Sequence, residues 1–222
     1  MLIELIILAT LTLVVVWLIR PPKQHRQTAT TGVQFTFIRH GESEANVSQF
    51  INDDPTKPVH LTDQGKAQAS SLAKKLRSEA FTHAYVSEFP RAQETIAILL
   101  QERNISAQID ARLNERKSGM DGQPVNAFND QVLKDPLHFK TQHGESFLEQ
   151  TERVKRFLDE IATQKPAAKI LVVSHENPIM AALGLTCTPE EVVLKKLANC
   201  GRLDIFVGAD SSGQTRYFST PN

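Results

Sequence analysis

The chain has 222 residues, of which 41% are hydrophobic and 23% are charged, and its 25 basic side chains equal its 25 acidic ones. This composition excludes a wholly disordered chain and a fibrous repeat. A net charge of zero gives no electrostatic footprint for nucleic acid, so we expect no nucleic-acid partner.

The first element in chain order is an apolar block at residues 2–19, whose only non-apolar members are Glu4, Thr10 and Thr12. As a helix it would extend roughly 27 Å, just enough for a hydrocarbon core of about 30 Å. A secretory signal would need basic residues before the block and a small-residue cleavage site after it, and a buried helix would need a polar stripe. We therefore prefer a transmembrane anchor at residues 1–20, with a cleaved signal and a buried helix as the alternatives.

Positive charges flank this block on one side only. Arg20, Lys23 and Arg26 follow it and no Lys or Arg precedes it, so the positive-inside rule predicts a single-pass membrane protein with its remaining residues in the cytoplasm. Residues 21–32 are rich in chain breakers and hydroxyl groups and predict a polar tether. Residues 33–222 are sufficient for one domain with a sizeable core.

That domain alternates strand and helix patterns. We predict strands at 33–38, 84–86, 106–110 and 169–174, helices at 63–77, 91–102 and 145–162, and a closing hairpin of strands 203–207 and 215–218. The run KILVVS at 169–174 is typical of a strand buried on both faces. The alternation predicts a three-layer α/β/α fold with a mostly parallel central sheet.

Two predicted strands run into histidines. Arg39 and His40 follow the first strand, His175 follows KILVVS, and Arg91 begins the helix after the second strand. Ligands of parallel sheets bind beyond the carboxyl ends of the strands, so these imidazoles and guanidiniums are expected to surround a phosphate dianion. An imidazole can attack phosphorus, and a carboxyl group must then protonate the leaving oxygen. Glu115, in a glycine-containing loop, is the candidate for that carboxyl group.

These motifs resemble those of the histidine phosphatase superfamily, which includes the cofactor-dependent phosphoglycerate mutases. Six segments occur in the family's order: RHGES at 39–43 with Asn46, LTDQG at 61–65, Ser87 with Arg91 and Thr95, Leu113 with Glu115 and Gly119, GES at 144–146, and VSH at 173–175. The resemblance covers the whole of the predicted domain.

The resemblance implies a phosphohistidine mechanism with His40 as the nucleophile and a small phosphorylated substrate. The implied site residues are His40, Glu115 and His175 for catalysis, and Arg39, Asn46 and Arg91 for binding the phosphate. We expect no cofactor. No H-x-H or H-E-x-x-H spacing occurs, and Cys187 and Cys200 are predicted to be two reduced thiols, so we expect no metal site.

The chain departs from the family's pattern at two places. Glu176 stands where the family usually has Gly after the second histidine, and the acid loop is one residue shorter between Gly119 and Gly122. Three functions remain open: a phosphatase, a phosphoglycerate-type mutase, and a detuned phosphate-binding module at the membrane. Only about 28 residues separate Glu115 from Gly144, which favours the phosphatase over the mutases with their longer insertion.

Two further charged features have alternative interpretations. Arg116 and Lys117 lie next to the proposed acid and would favour a second anionic group on the substrate, although charged loop residues are more often simply solvated. Glu42 either faces the substrate or caps the loop after the first strand.

Overall fold

The structure is a computed structural model that describes residues 32–219. Its strands are β1 (Gly32–Arg39), β2 (His83–Val86), β3 (Ala107–Ile109), β4 (Lys169–Ser174), β5 (Arg202–Ala209) and β6 (Thr215–Ser219). Its α-helices are α1 (Glu44–Ser48), α2 (Asp63–Lys75), α3 (Pro90–Leu100), α4 (Val125–Val132), α5 (Phe147–Gln164) and α6 (Glu176–Leu183). Short 3-10 turns lie at Ala111–Leu113 and Pro189–Glu191.

The strands form one sheet in the order β3-β2-β4-β1-β5-β6. The four strands from β3 to β1 are parallel, whereas β5 and β6 are antiparallel to their neighbours. This confirms the mostly parallel sheet and the closing hairpin. Arg39 of β1 pairs with Ser174 of β4, so the residues that follow these two strands, His40 and His175, leave the sheet at the same edge.

The side chains of β4 alternate between two hydrophobic layers. Ile170 and Val172 belong to the cluster on one face, together with residues of α5 and α6. Leu171 and Val173 belong to the cluster on the other face, together with residues of α3. Fully burying such a side chain contributes about 1.5–3 kcal/mol. The three-layer α/β/α arrangement is therefore confirmed, with β4 covered on both sides.

Helix α5 begins at Phe147, two residues later than predicted, because Ser146 is its N-cap. The Ser146 hydroxyl accepts a hydrogen bond from the Glu149 amide at 3.1 Å, and the Glu149 carboxylate accepts one from the Ser146 amide at 2.8 Å. This reciprocal capping box satisfies two amides that the first helical turn would otherwise leave unpaired. Helices α1, α4 and α6 were not predicted from the sequence.

The predicted transmembrane anchor at residues 1–20 lies outside the described residues. The predicted tether does as well, except for Gly32, which is the first residue of β1. Within residues 32–219, none of the helices has the length and apolar character that crossing a membrane requires.

Candidate active site

His40 follows β1 and is only 3% exposed. Its Nδ1 lies 2.7 Å from the carbonyl oxygen of Gly41. A carbonyl can only accept, so Nδ1 carries the proton and Nε2 carries the lone pair. Burial, reinforced by the Arg91 guanidinium, holds the pKa of His40 well below its usual value. The imidazole is therefore neutral at physiological pH, which is the state that a nucleophile needs.

His175 packs against His40, with ring centroids 5.0 Å apart. Its Nε2 lies 2.8 Å from the hydroxyl of Ser87, and its Nδ1 is buried without a hydrogen-bond partner. Burial, followed by the charge of Arg91, lowers the pKa of His175 as well. The structure thus brings the two predicted histidines together, although His175 is not among the residues that line the cavity described below.

Arg91, the second residue of α3, directs its guanidinium to His40. Its Nε donates to His40 Nε2 at 3.2 Å, and its guanidinium carbon lies 4.4 Å from the ring centre of Phe89. Burial lowers the pKa of Arg91 to about 10, so the side chain remains a cation at neutral pH. Its two terminal nitrogens donate to the side chain and the backbone carbonyl of Asn52. Asn52 was not predicted as a site residue, because it belongs to no motif and reaches Arg91 only through the tertiary fold.

Arg39 is held by the residue that departs from the family's pattern. Its Nη1 donates to Glu176 Oε2 at 2.6 Å and also to the carbonyl of Leu197. Its Nε is buried without a hydrogen-bond partner. Glu176 is the first residue of α6 and is not among the described residues with positive φ. The backbone at this position therefore does not require glycine.

Glu115 lies at the edge of the same cavity. Its Oε1 accepts hydrogen bonds from the Arg116 amide at 2.8 Å and from Asn177 Nδ2 at 3.2 Å. Burial raises the pKa of Glu115 despite these contacts. A raised pKa favours the protonated carboxyl, which is the form that donates a proton to a leaving group. Asn177 was not identified from the sequence.

Asn46 lies in α1, where its Oδ1 accepts a hydrogen bond from the Ser43 amide at 3.1 Å and another from Asn199 Nδ2 at 3.2 Å. These contacts fix the orientation of the amide, so its Nδ2 is the group that it offers to a ligand. Asn199, in the segment before β5, is a further supporting residue that no motif indicates.

Two motif glycines allow the loop after β1 to pack on α2. A Cβ atom on Gly65 would lie 2.0 Å from the carbonyl oxygen of Glu42, and one on Gly41 would lie 2.5 Å from the carbonyl oxygen of Gly65. The Glu42 carboxylate accepts a hydrogen bond from the Thr62 hydroxyl at 2.8 Å, and Glu42 does not line the cavity. Its role is therefore to support this loop.

Arg39, His40, Asn46, Arg91 and Glu115 line one end of a cavity of about 400 Å³. Two guanidiniums, one neutral imidazole, an amide and a carboxyl group whose pKa is raised by burial can together hold a phosphate and assist its transfer. Among residues 32–219, no three His, Cys, Asp or Glu side chains form a group that could hold a metal ion.

The two cations that follow Glu115 differ in their surroundings. Arg116 is buried, and its guanidinium donates to the carbonyls of Glu145 at 3.1 Å and Phe139 at 2.7 Å. Lys117 is exposed and does not line the cavity. Arg116 also lines the cavity, so of these two cations only Lys117 lies away from the position expected for a second anionic group.

Comparisons with known proteins point to one family. Residues 35–203 match the family model described as histidine phosphatase superfamily (branch 1). The chain is 33% identical over 148 residues to the adenosylcobalamin/alpha-ribazole phosphatase of Escherichia coli strain K12, covering 63% of this chain and 72% of that protein. It is 28% identical over 178 residues to a probable phosphoglycerate mutase of Yersinia enterocolitica, covering 76% and 82%.

Solved structures show the same fold. A mycobacterial glucosyl-3-phosphoglycerate phosphatase superposes with a TM-score of 0.72, covering 85% of this chain and 98% of that one. The two sequences are 18% identical, so this likeness concerns the fold alone.

Proposed function

Because the chain belongs to the histidine phosphatase superfamily, we propose that it is a phosphomonoesterase that transfers a phosphoryl group from a small phosphorylated substrate to His40 and then to water. The observation that carries this proposal is the hydrogen bond from His40 Nδ1 to the Gly41 carbonyl, at 2.7 Å. It leaves the lone pair on Nε2, which lies 3.2 Å from the Arg91 Nε, and His40 lines the same cavity as Arg39, Arg91 and Glu115.

In the first step, His40 Nε2 attacks phosphorus, the N–P bond forms, and the bond from phosphorus to the leaving oxygen breaks. Protonated Glu115 transfers its proton to that oxygen. In the second step, water attacks phosphorus while the Glu115 carboxylate accepts a proton from the water, and the N–P bond breaks. Arg39, Arg91 and Asn46 bind the phosphate oxygens, whose charge spreads in both transition states.

The experiment compares two histidine variants. His40→Ala should lower the hydrolysis of p-nitrophenyl phosphate by at least about 1,000-fold, because it removes the nucleophile. It should also abolish acid-labile labelling of the protein by a phosphate-labelled substrate. His138→Ala, which changes an exposed histidine outside the cavity, is the matched control. Full turnover in His40→Ala would exclude the mechanism.

A phosphoglycerate-type mutase is the second candidate, supported by the relative in Yersinia enterocolitica. The phosphatase is favoured because only about 28 residues separate Glu115 from Gly144, whereas the mutases carry a longer insertion there. Direct assay of the interconversion of 2- and 3-phosphoglycerate with a bisphosphate primer decides between them.

A detuned phosphate-binding module is the third candidate, and the ion pair between Glu176 and Arg39 is the observation that favours it. Glu176→Gly tests it. A large gain in turnover would identify the native site as detuned, whereas measurable turnover in the native protein that the variant does not exceed supports an enzyme.

The proposal includes attachment to a membrane through residues 1–20, with the domain on the cytoplasmic side. It is supported by the apolar block at residues 2–19 and by Arg20, Lys23 and Arg26 after it. Protease added to spheroplasts should leave the domain intact until the membrane is permeabilised. Digestion of the domain from the outer face would contradict this topology.

A further inference from the structure

Large apolar side chains cluster at the mouth of the cavity that contains His40. In the described part of the chain, three of the apolar residues that are half exposed or more line this cavity: Phe50 is 50% exposed, Leu133 62% and Leu194 52%. Single exposed apolar residues are common on protein surfaces, but a contiguous group at a cavity indicates a binding surface.

The same apolar surface continues into the cavity. Phe128 and Val132 of α4, together with Val193, line the same cavity as Leu133 and Leu194. The lining therefore contains a polar group, with the guanidiniums and His40, and an apolar group from three separate segments of the chain, and we call these the polar end and the apolar end of the cavity.

The apolar end is held in place by backbone hydrogen bonds. The Ile51 amide donates to the Gln123 carbonyl at 2.8 Å, and the Val125 amide donates to the Gln49 carbonyl at 2.9 Å. The segment with Phe50 is thereby joined to the start of α4. The surface exists before any ligand arrives, so a ligand need not supply the free energy to form it.

Two cations near the apolar end also line this cavity. Arg116 donates to backbone carbonyls, and its guanidinium carbon lies 5.1 Å from the ring centre of Phe128. Lys196 forms a 3.0 Å ion pair with Glu176. Lys196 is thus already paired with a carboxylate, and two of the Arg116 nitrogens are engaged, so we expect apolar contact to supply most of the affinity for the part of a ligand that lies against Phe50, Leu133 and Leu194.

We propose that the substrate is a phosphomonoester whose leaving group carries a hydrocarbon group, which packs against Phe50, Phe128, Val132, Leu133 and Leu194 while the phosphate lies at His40. This proposal rests on the proposed phosphatase function and specifies its substrate class. The occupant is part of the substrate because these apolar residues line the same cavity as Arg39, His40 and Arg91. A volume of about 400 Å³ is also typical of pockets for small molecules.

Ethyl phosphate and hexyl phosphate test the proposal on the full chain, because their leaving oxygens are chemically alike and they differ only in apolar length. Each fully buried CH₂ group adds up to about fourfold in affinity. Because we expect the hexyl chain to be only partly buried, kcat/KM should be at least about tenfold higher for hexyl phosphate than for ethyl phosphate. Equal values for the two esters would overturn the proposal.

Variants of the apolar end test whether its leucines cause the preference for hexyl phosphate. Leu133→Ser and Leu194→Ser should each lower the ratio of kcat/KM between hexyl and ethyl phosphate toward one. Ile109→Ser is the matched control, because Ile109 is 58% exposed on β3 and does not line the cavity. An unchanged ratio in both leucine variants would also overturn the proposal.

Binding of ethylphosphonate and hexylphosphonate, which cannot be hydrolysed, separates this proposal from the function on which it rests. At least about tenfold tighter binding of hexylphosphonate supports the apolar end even where turnover is absent, and equal binding refutes it.

Hydrolysis of phosphatidic acid in phosphatidylcholine vesicles, compared with that of soluble hexyl phosphate, shows whether a membrane lipid or a soluble ester supplies the hydrocarbon group.

Discussion

Glu176 accepts a hydrogen bond from Arg39 at 2.6 Å inside the cavity that also contains His40. Its other oxygen forms a 3.0 Å ion pair with Lys196. A carboxylate at this place occupies one donor of Arg39 and reduces the positive charge available to a phosphate. The departure from the family's glycine therefore has an electrostatic consequence, while the backbone remains an ordinary helix start.

Glu176→Gln should strengthen the binding of inorganic phosphate by about tenfold, because it removes a competing negative charge but keeps the shape of the side chain. The inhibition constant of phosphate against p-nitrophenyl phosphate hydrolysis measures this. Glu190→Gln, which removes an exposed carboxylate outside the cavity, controls for net charge. Unchanged or weaker phosphate inhibition in Glu176→Gln would show that the carboxylate mainly positions Arg39.

Much of the phosphate end could be predicted from the sequence, because its residues sit at fixed places relative to strands with clear apolar patterns. The structure brings His40, Arg91 and His175 together since the carboxyl ends of parallel strands share one edge. Strand β4 was predicted at its observed bounds because its run of apolar residues is continuous.

The supporting residues could not be predicted in the same way. Asn52, Asn177 and Asn199 act through contacts between segments that are distant along the chain, and amides of this kind have no characteristic spacing. Helix α4 has only eight residues, which is too short for a reliable apolar period. The apolar end of the cavity was missed for this reason, since α4 provides much of its wall.

Glu115→Gln should lower kcat for an alkyl phosphate by about 100-fold or more, because the leaving alkoxide then receives no proton. The loss should be much smaller for p-nitrophenyl phosphate, whose leaving group is stable as an anion. The kinetics of the two substrates, measured side by side, check this. Equal losses for both would indicate that Glu115 acts on substrate binding instead.

The pH profile of kcat/KM should reflect the shifted pKa values of His40 and Glu115. Burial lowers the pKa of His40, so the reactive neutral form persists into mildly acidic solution and is lost only below that lowered pKa. Burial raises the pKa of Glu115, so the protonated form persists above its usual range and is lost as pH rises through the raised value. The activity should therefore decline on the basic side in the native protein, and this decline should disappear in Glu115→Gln. A basic limb that remains in the variant would assign it to another group.

Asn52→Ala should lower kcat/KM by about tenfold while leaving the fold intact. Asn52 accepts from Arg91 through its side chain, and without that contact the guanidinium is less firmly placed beside His40. Asn129→Ala is the control, because Asn129 also lines the cavity but is exposed. Circular dichroism confirms folding of both variants. If kcat/KM of Asn52→Ala equalled that of Asn129→Ala, Arg91 would be positioned without the help of Asn52.

Gly65→Ala should reduce both stability and activity, although Gly65 does not line the cavity. The added Cβ atom would lie 2.0 Å from the carbonyl oxygen of Glu42, so α2 and the loop after β1 must move apart. Overpacking of this kind costs about 1–3 kcal/mol, and displacement of the loop shifts His40 relative to Arg91. Urea unfolding should show this loss of stability, and kcat/KM should fall by at least about tenfold. Lys66→Ala, at an exposed neighbouring position on α2, is the control and should change neither the stability nor kcat/KM appreciably. If Gly65→Ala kept the stability and kcat/KM of the native protein, the loop and the helix could separate without disturbing the site.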